Sequence, residues 1–159
     1  MNLTIHAHER LKLAEQICKI KDARLTKKRR QVLTLLLLCE KAISAYDLID
    51  LFKRQFSEEL LPMTAYRNLD FLEEMQLAHR LNTANKYVAC THVGCKSSHV
   101  LPHFLICQKC SRVDELNNYT TNSLVDLENK AEQTGYQLSS PQIELNGICN
   151  ECLLEENHD

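Results

Sequence analysis

Glycine and proline are scarce in this chain of 159 residues, with three of each. A fold that turns many corners between short strands needs such residues at its turns. A barrel or sandwich is therefore disfavoured and long helices are expected. No apolar run follows a basic N-terminal start, so no secretion signal is read. The longest apolar stretch, "VLTLLLLC" at 32–39, is far short of the roughly 20 residues that span a bilayer. A soluble, cytoplasmic protein with no membrane partner is the expectation. There is no Gly-rich phosphate loop, no Ser-His-Asp arrangement and no paired-carboxylate motif, and no enzyme activity is read. Hydrophobic residues at 44% and charged residues at 25% allow a buried core and argue against disorder.

Cysteine, by contrast, is plentiful. Eight cysteines in a reducing compartment point to metal or thiol chemistry rather than structural disulfides. Charge is also uneven. Residues 1–90 hold 15 Lys and Arg against 11 Asp and Glu, a net of +4, and residues 91–159 hold 4 against 10, a net of −6. A basic half followed by an acidic half suggests two domains with different partners, nucleic acid being the natural partner of the first.

Helical spacing runs from Ile5 to Lys21 through Leu11, Ala14, Ile17 and Cys18. Thr26 reads as the N-cap of a helix running to about Glu40, and Ser44 as the cap of a third with Leu48, Leu51 and Phe52 on one face. Pro62 opens a fourth, whose stripe includes Leu69 and Leu72. Two short strands, about 77–82 and 86–90, then flank a polar turn at Thr83–Asn85. Helices followed by a hairpin outline a winged helix-turn-helix whose last helix enters DNA. The segment 91–102 reads as a linker. Beyond it come strands at "HFLI" and "RVDEL", a helix "NSLVDLENKAEQ" capped by Thr120 or Thr121 and ending at Gly135, and further strand within "YQLSSPQIELNG". Cys18 and Cys39 lie on apolar helical faces and are assigned to the core.

Cys107 and Cys110 form one C-x-x-C knuckle, and Cys149 and Cys152 form another after 38 intervening residues. One knuckle supplies half of a zinc tetrahedron, so the second completes it. The interval accommodates a strand and a helix, and the metal then ties the ends of one small domain together. Four cysteines leave no open coordination position, so the site is structural. The competing reading, a pair of thioredoxin-like redox motifs, lacks a βαβ context. In the basic half, "TKKRR" places Lys27, Lys28, Arg29 and Arg30 at a helix start, suited to phosphate contact or to a solvated basic face. Tyr66 and Arg67 lie on the recognition helix. Arg67 can offer a bidentate pair to guanine, and Tyr66 is either a base contact or a packed ring.

These stretches resemble the ferric-uptake-regulator superfamily, and within it the zinc-uptake regulators. "RLTKKR" (24–29), "ISAYDLIDL" (43–51), "TAYRNLDFL" (64–72), "FLICQKCSRVDE" and "IELNGICNEC" carry the resemblance, in order, from Ala14 to Cys152. It implies an α+β protein with a winged helix-turn-helix domain at 1–90, a hinge at 91–102, and a small α/β dimerisation and zinc-binding domain at 103–159. It further implies a homodimeric transcriptional repressor that binds a palindromic operator when zinc is plentiful and shuts off zinc-uptake genes. Tyr46 matches a base-contacting position.

A sensor needs a second, reversible site. The remaining donors are His79, Cys90, His92, Cys95, His99, His103 and Glu115. The resemblance selects His79, Cys90, His99 and Glu115, with His103 as the alternative to His99, and so implies two zinc ions per subunit. Thiolate, imidazole and carboxylate together favour zinc over ferrous iron or manganese. An iron or peroxide sensor of the same superfamily is the nearer rival. It carries a His-His-Asp-type cluster where this chain has "SHVLPHFLIC", with no Asp. A thiol–disulfide oxidoreductase is the rival from another class.

Overall fold

The computed structural model of the protein describes residues 5–39, 41–91, 93, 102–116, 122–138 and 142–156. Four helices come first. α1 (Ile5–Ile20) buries Ala7, Leu11, Ala14 and Cys18, which recur on one face of a 3.6-residue turn. α2 (Lys27–Leu38) starts where the Thr26 hydroxyl accepts the Arg29 N–H. Six consecutive residues from Gln31 to Leu36 are buried, because α1, α3 and α4 all pack on it. α3 (Ala45–Phe56) opens on a capping box. The Ser44 hydroxyl accepts the Asp47 N–H, and the Asp47 carboxylate accepts the Ser44 N–H, each at 3.1 Å. α4 (Pro62–Glu74) has Pro62 in its first turn, where the missing N–H costs no helical bond. Its buried residues are Ala65, Asn68, Leu69, Phe71 and Leu72.

The wing follows. β1 (Ala78–Leu81) pairs antiparallel with β2 (Lys86–Ala89), Ala78 opposite Ala89 and Leu81 opposite Lys86. The turn between them uses Asn85 at φ +48°, a left-handed conformation that asparagine tolerates. Tyr87 exchanges backbone hydrogen bonds with Ile43, which fastens the hairpin to the segment before α3. One apolar core joins α1–α4 and this hairpin.

β3 (His103–Cys107) is the centre of a second sheet. β4 (Val113–Leu116) pairs with it antiparallel, and β5 (Ile143–Gly147) pairs on its other edge in parallel, reached through α5 (Asn122–Gln133). Alternation along β3 sorts the faces. Phe104 and Ile106 are buried against Leu81 and Ala42 from the first half, while Leu105 points to the other side and is exposed. The two halves thus share a small apolar seam.

Several expectations are revised. Cys39 is the half-buried C-cap of α2 rather than core, because the helix ends at Leu38 and the chain turns extended. Cys18 is core as expected, and burial raises its thiol pKa. Within "YQLSSPQIELNG" only Ile143–Gly147 is strand among the described residues. A closing helix, α6 (Asn150–Glu156), adds to the elements expected from the sequence. Thr120, Thr121 and most of the 91–102 linker lie outside the described residues. No described helix is long and apolar enough to cross a membrane.

Candidate metal centres and nucleic-acid interface

The two knuckles meet. Cys107 ends β3, Cys110 lies in the turn after it, Cys149 precedes α6 and Cys152 sits in its first turn. Their sulfurs all lie within 4.8 Å of one another, with Cys107 to Cys152 at 3.9 Å and Cys110 to Cys149 at 3.7 Å. Thiolates at a Zn–S distance of about 2.3 Å on a regular tetrahedron are about 3.8 Å apart, so the four positions fit that ion. They are far beyond disulfide bonding distance. Backbone N–H groups of Cys110 and Cys149 donate toward Cys107 and pull its thiol down to about 6. Cys152 is pushed up to about 12, first by its hydrogen bond with Cys149 and then by burial. Opposed displacements of this kind belong to crowded thiols: once one is ionised, the next is harder to ionise without a cation. Arg112 braces the cluster. Its carbonyl accepts the Cys107 N–H at 2.9 Å, and its guanidinium reaches Asp114 at 3.3 Å and Glu151 of α6 at 2.9 Å.

A second set joins the halves. His79 of β1, Cys90 just after β2 and Glu115 of β4 bring one nitrogen, one sulfur and one oxygen within 4.8 Å. His79 Nε2 is 3.5 Å from Glu115 Oε1, and the two side chains are 11% and 3% exposed. The imidazole also packs against Phe104, ring centroids 5.1 Å apart. Cys90 is fully buried. Glu115 is aimed by a neighbour that sequence reasoning missed. Thr91 donates its N–H and its hydroxyl to Glu115 Oε2 at 2.9 and 2.6 Å, leaving Oε1 turned toward His79. Buried carboxylate, imidazole and thiol are costly together unless something charged or hydrogen-bonding joins them, and this donor set suits zinc. His99, His92 and Cys95 lie outside the described residues. His103 is described, at the first position of β3, and is not among the three donors that lie mutually within 4.8 Å.

On the winged half, Tyr46 at the second position of α3 is 67% exposed, and Arg67 on α4 is exposed. Tyr66 is half-buried against the core. The basic run divides. Lys27 pairs with Glu58 at 2.7 Å on the surface, and Lys28 is exposed. Arg29 lies over the Phe71 ring, 3.4 Å from its centroid, and donates to the Arg24 carbonyl at 2.7 Å. Arg30 pairs with Glu15 of α1. Both arginines thus have partners inside the winged half, which the one-dimensional cluster could not reveal.

The family model described as the ferric uptake regulator family matches residues 21–146. The zinc uptake regulation protein of Escherichia coli (strain K12) is 37% identical over 145 residues, 91% of this chain and 82% of that protein. This chain belongs to the ferric uptake regulator family. As a ferric uptake regulator family member it also has solved structural neighbours. A zinc uptake regulator complexed with zinc and DNA is 33% identical, with a TM-score of 0.85 over 97% of this chain and 99% of that one. Holo XcZur is 33% identical, with a TM-score of 0.75 over 91% of this chain and 96% of that one. Apo XcZur is 31% identical over 92% and 97%, yet its TM-score is only 0.50. Identity and coverage are nearly equal for those two forms. By TM-score this structure is more similar to the holo form than to the apo form.

Proposed function

We propose that this protein is a zinc-responsive, sequence-specific DNA-binding repressor of zinc-uptake genes, active as a zinc-loaded homodimer on a palindromic operator. The observation that carries the reading is the convergence of His79, Cys90 and Glu115 across the two halves, in a structure more similar by TM-score to a holo relative than to its apo form. The organisation proposed is a winged domain at 1–90, a hinge at 91–102 and a dimerisation domain at 103–159. Each subunit holds two zinc ions, a structural one at Cys107, Cys110, Cys149 and Cys152, and a regulatory one at His79, Cys90, Glu115 and, from the hinge, His99.

Zinc at the second site would join the wing to the C-terminal sheet through one shared ion, in addition to the hydrogen bonds that already link them. His79 and Cys90 belong to the wing and Glu115 to the C-terminal sheet, so ligation by all three fixes the recognition helix relative to the dimer. Dimer half-sites are read about one helical turn apart, near 34 Å, which wandering winged domains cannot match. The far face of the sheet supports self-association. Leu105, Leu145 and Ile148 are exposed there, a contiguous apolar strip that a second copy would cover. Tyr46, Tyr66 and Arg67 face the bases, and Lys27 and Lys28 the phosphates. The Lys27–Glu58 pair is exposed and screened by solvent, and yields readily to a phosphate.

The test is a gel-shift titration across buffered free zinc, with operator fragments selected from random DNA by the zinc-loaded protein. Cys90→Ser and His79→Ala should keep the fold, the dimer and the four-cysteine metal while losing zinc-dependent binding. If both variants respond to zinc like the parent, the sensing site lies elsewhere.

A further inference from the structure

The row of the C-terminal sheet that presents Glu115 to the wing presents a second carboxylate. Glu115, Phe104 and Glu144 lie opposite one another across β4, β3 and β5, so their side chains share one face. Glu115 meets the base of the wing. Glu144 meets its turn. The Glu144 carboxylate accepts the N–H of Asn82 at 2.6 Å, the N–H of Thr83 at 3.0 Å and the Thr83 hydroxyl. Gln142 donates to the same carboxylate and, at 2.8 Å, to the Arg80 carbonyl, so one more side chain from the strand's edge grips the hairpin. The bonds to the hairpin join residues 61 or 62 positions apart, and none involves a metal ligand. Burial pushes the Glu144 carboxyl upward, but the bonds from Thr83, Asn82 and Gln142 together outweigh it and hold the group below the ordinary glutamate range.

We infer that Glu144 is a positioning residue for the zinc response: by clasping the wing turn at Asn82–Thr83 it holds part of the metal-free population in the arrangement that brings His79 and Cys90 to Glu115. The inference rests on the reading of those three residues as the regulatory site. A site that is complete in only a fraction of molecules has its apparent affinity reduced by that fraction. Two anchors on one sheet row, one with metal and one without, set where zinc becomes sufficient. Weakening the second should therefore move the zinc threshold, and leave the fully loaded state as it was.

The experiment uses the full-length dimer carrying its four-cysteine zinc, with zinc itself as the probe. Free zinc at half-saturation of the second site is read by competition with a fluorescent chelator, operator affinity is read at saturating zinc, and amide exchange at Asn82 and Thr83 is read before the second zinc is added. Glu144→Ala should raise half-saturating zinc about tenfold, the weight of one charge-assisted hydrogen bond. It should also speed exchange at the two amides and leave operator affinity at saturating zinc at the parental value. Thr83→Val should shift the threshold less, and Thr83→Ser should restore it. If Glu144→Ala does not fold, Thr83→Val and Glu144→Gln carry the test. A parental zinc threshold in the folded variants overturns the clasp, as does a loss of operator affinity that saturating zinc does not repair. Cys90→Ser in the same assays separates the two readings. If it alone abolishes the second zinc while Glu144→Ala changes nothing, the sensing site stands and the clasp falls. If Cys90→Ser binds and responds like the parent, the sensing site falls and the clasp with it.

Discussion

Arg29 lies in the first turn of α2, in a run of four basic residues, where a phosphate contact is the first expectation. Its environment argues for a different role. The guanidinium stacks 3.4 Å from the Phe71 centroid and donates to the Arg24 carbonyl at 2.7 Å. Phe71 is buried, so this cation is partly desolvated over the ring, an interaction worth about 1 kcal/mol. A charge-assisted hydrogen bond to a carbonyl adds about 1.5 kcal/mol. Arg29→Ala should therefore destabilise the winged half by roughly 2–3 kcal/mol, read as a lower urea midpoint of the zinc-loaded protein. Arg29→Lys should recover less than half, because a flat fork stacks and donates at once and an ammonium does not. Lys28 is the contrast, one position earlier and exposed. Lys28→Ala should change stability by no more than about 0.5 kcal/mol. It should flatten the dependence of log affinity on log salt by about 0.9 for each phosphate no longer neutralised, hence roughly 1.8 per dimer. Both are measured with the same protein, by urea unfolding and by operator titration over a salt series. An unchanged urea midpoint together with a reduced salt slope for Arg29→Ala would refute the assignment and return Arg29 to the DNA face.

Two further outcomes are expected. Cys110→Ser should lose the zinc proposed at the four cysteines and unfold or monomerise the chain, since a structural site supplies folding free energy directly; metal analysis with sedimentation checks it, and a folded dimer with the parental zinc content refutes it. Arg67→Ala should lower discrimination between operator and random DNA by about 1–3 kcal/mol, and a specificity ratio unchanged at fixed salt would place base recognition on other residues.

What was legible in the sequence was what short-range physics writes there. Thr26, Ser44 and Pro62 mark helix starts because a cap or an absent N–H acts within one turn. The two C-x-x-C knuckles could be paired without a structure because each is half of one coordination sphere. Leu11, Ala14 and Cys18, or Leu69 and Leu72, reveal a buried face by period alone. His79, Cys90 and Glu115 were reached through resemblance, since nothing local relates a wing residue to a carboxylate on a strand of another sheet. The tertiary structure decided the rest. It turned Arg29 inward onto Phe71 and Arg30 onto Glu15, gave Glu115 its Thr91 donors, and set Glu144 on the wing turn. Each of these is a choice of partner made by a long or charged side chain among several in reach. Sequence states what such a side chain can bind, and only the packing of α1, the wing and the second sheet around it determines which partner is there.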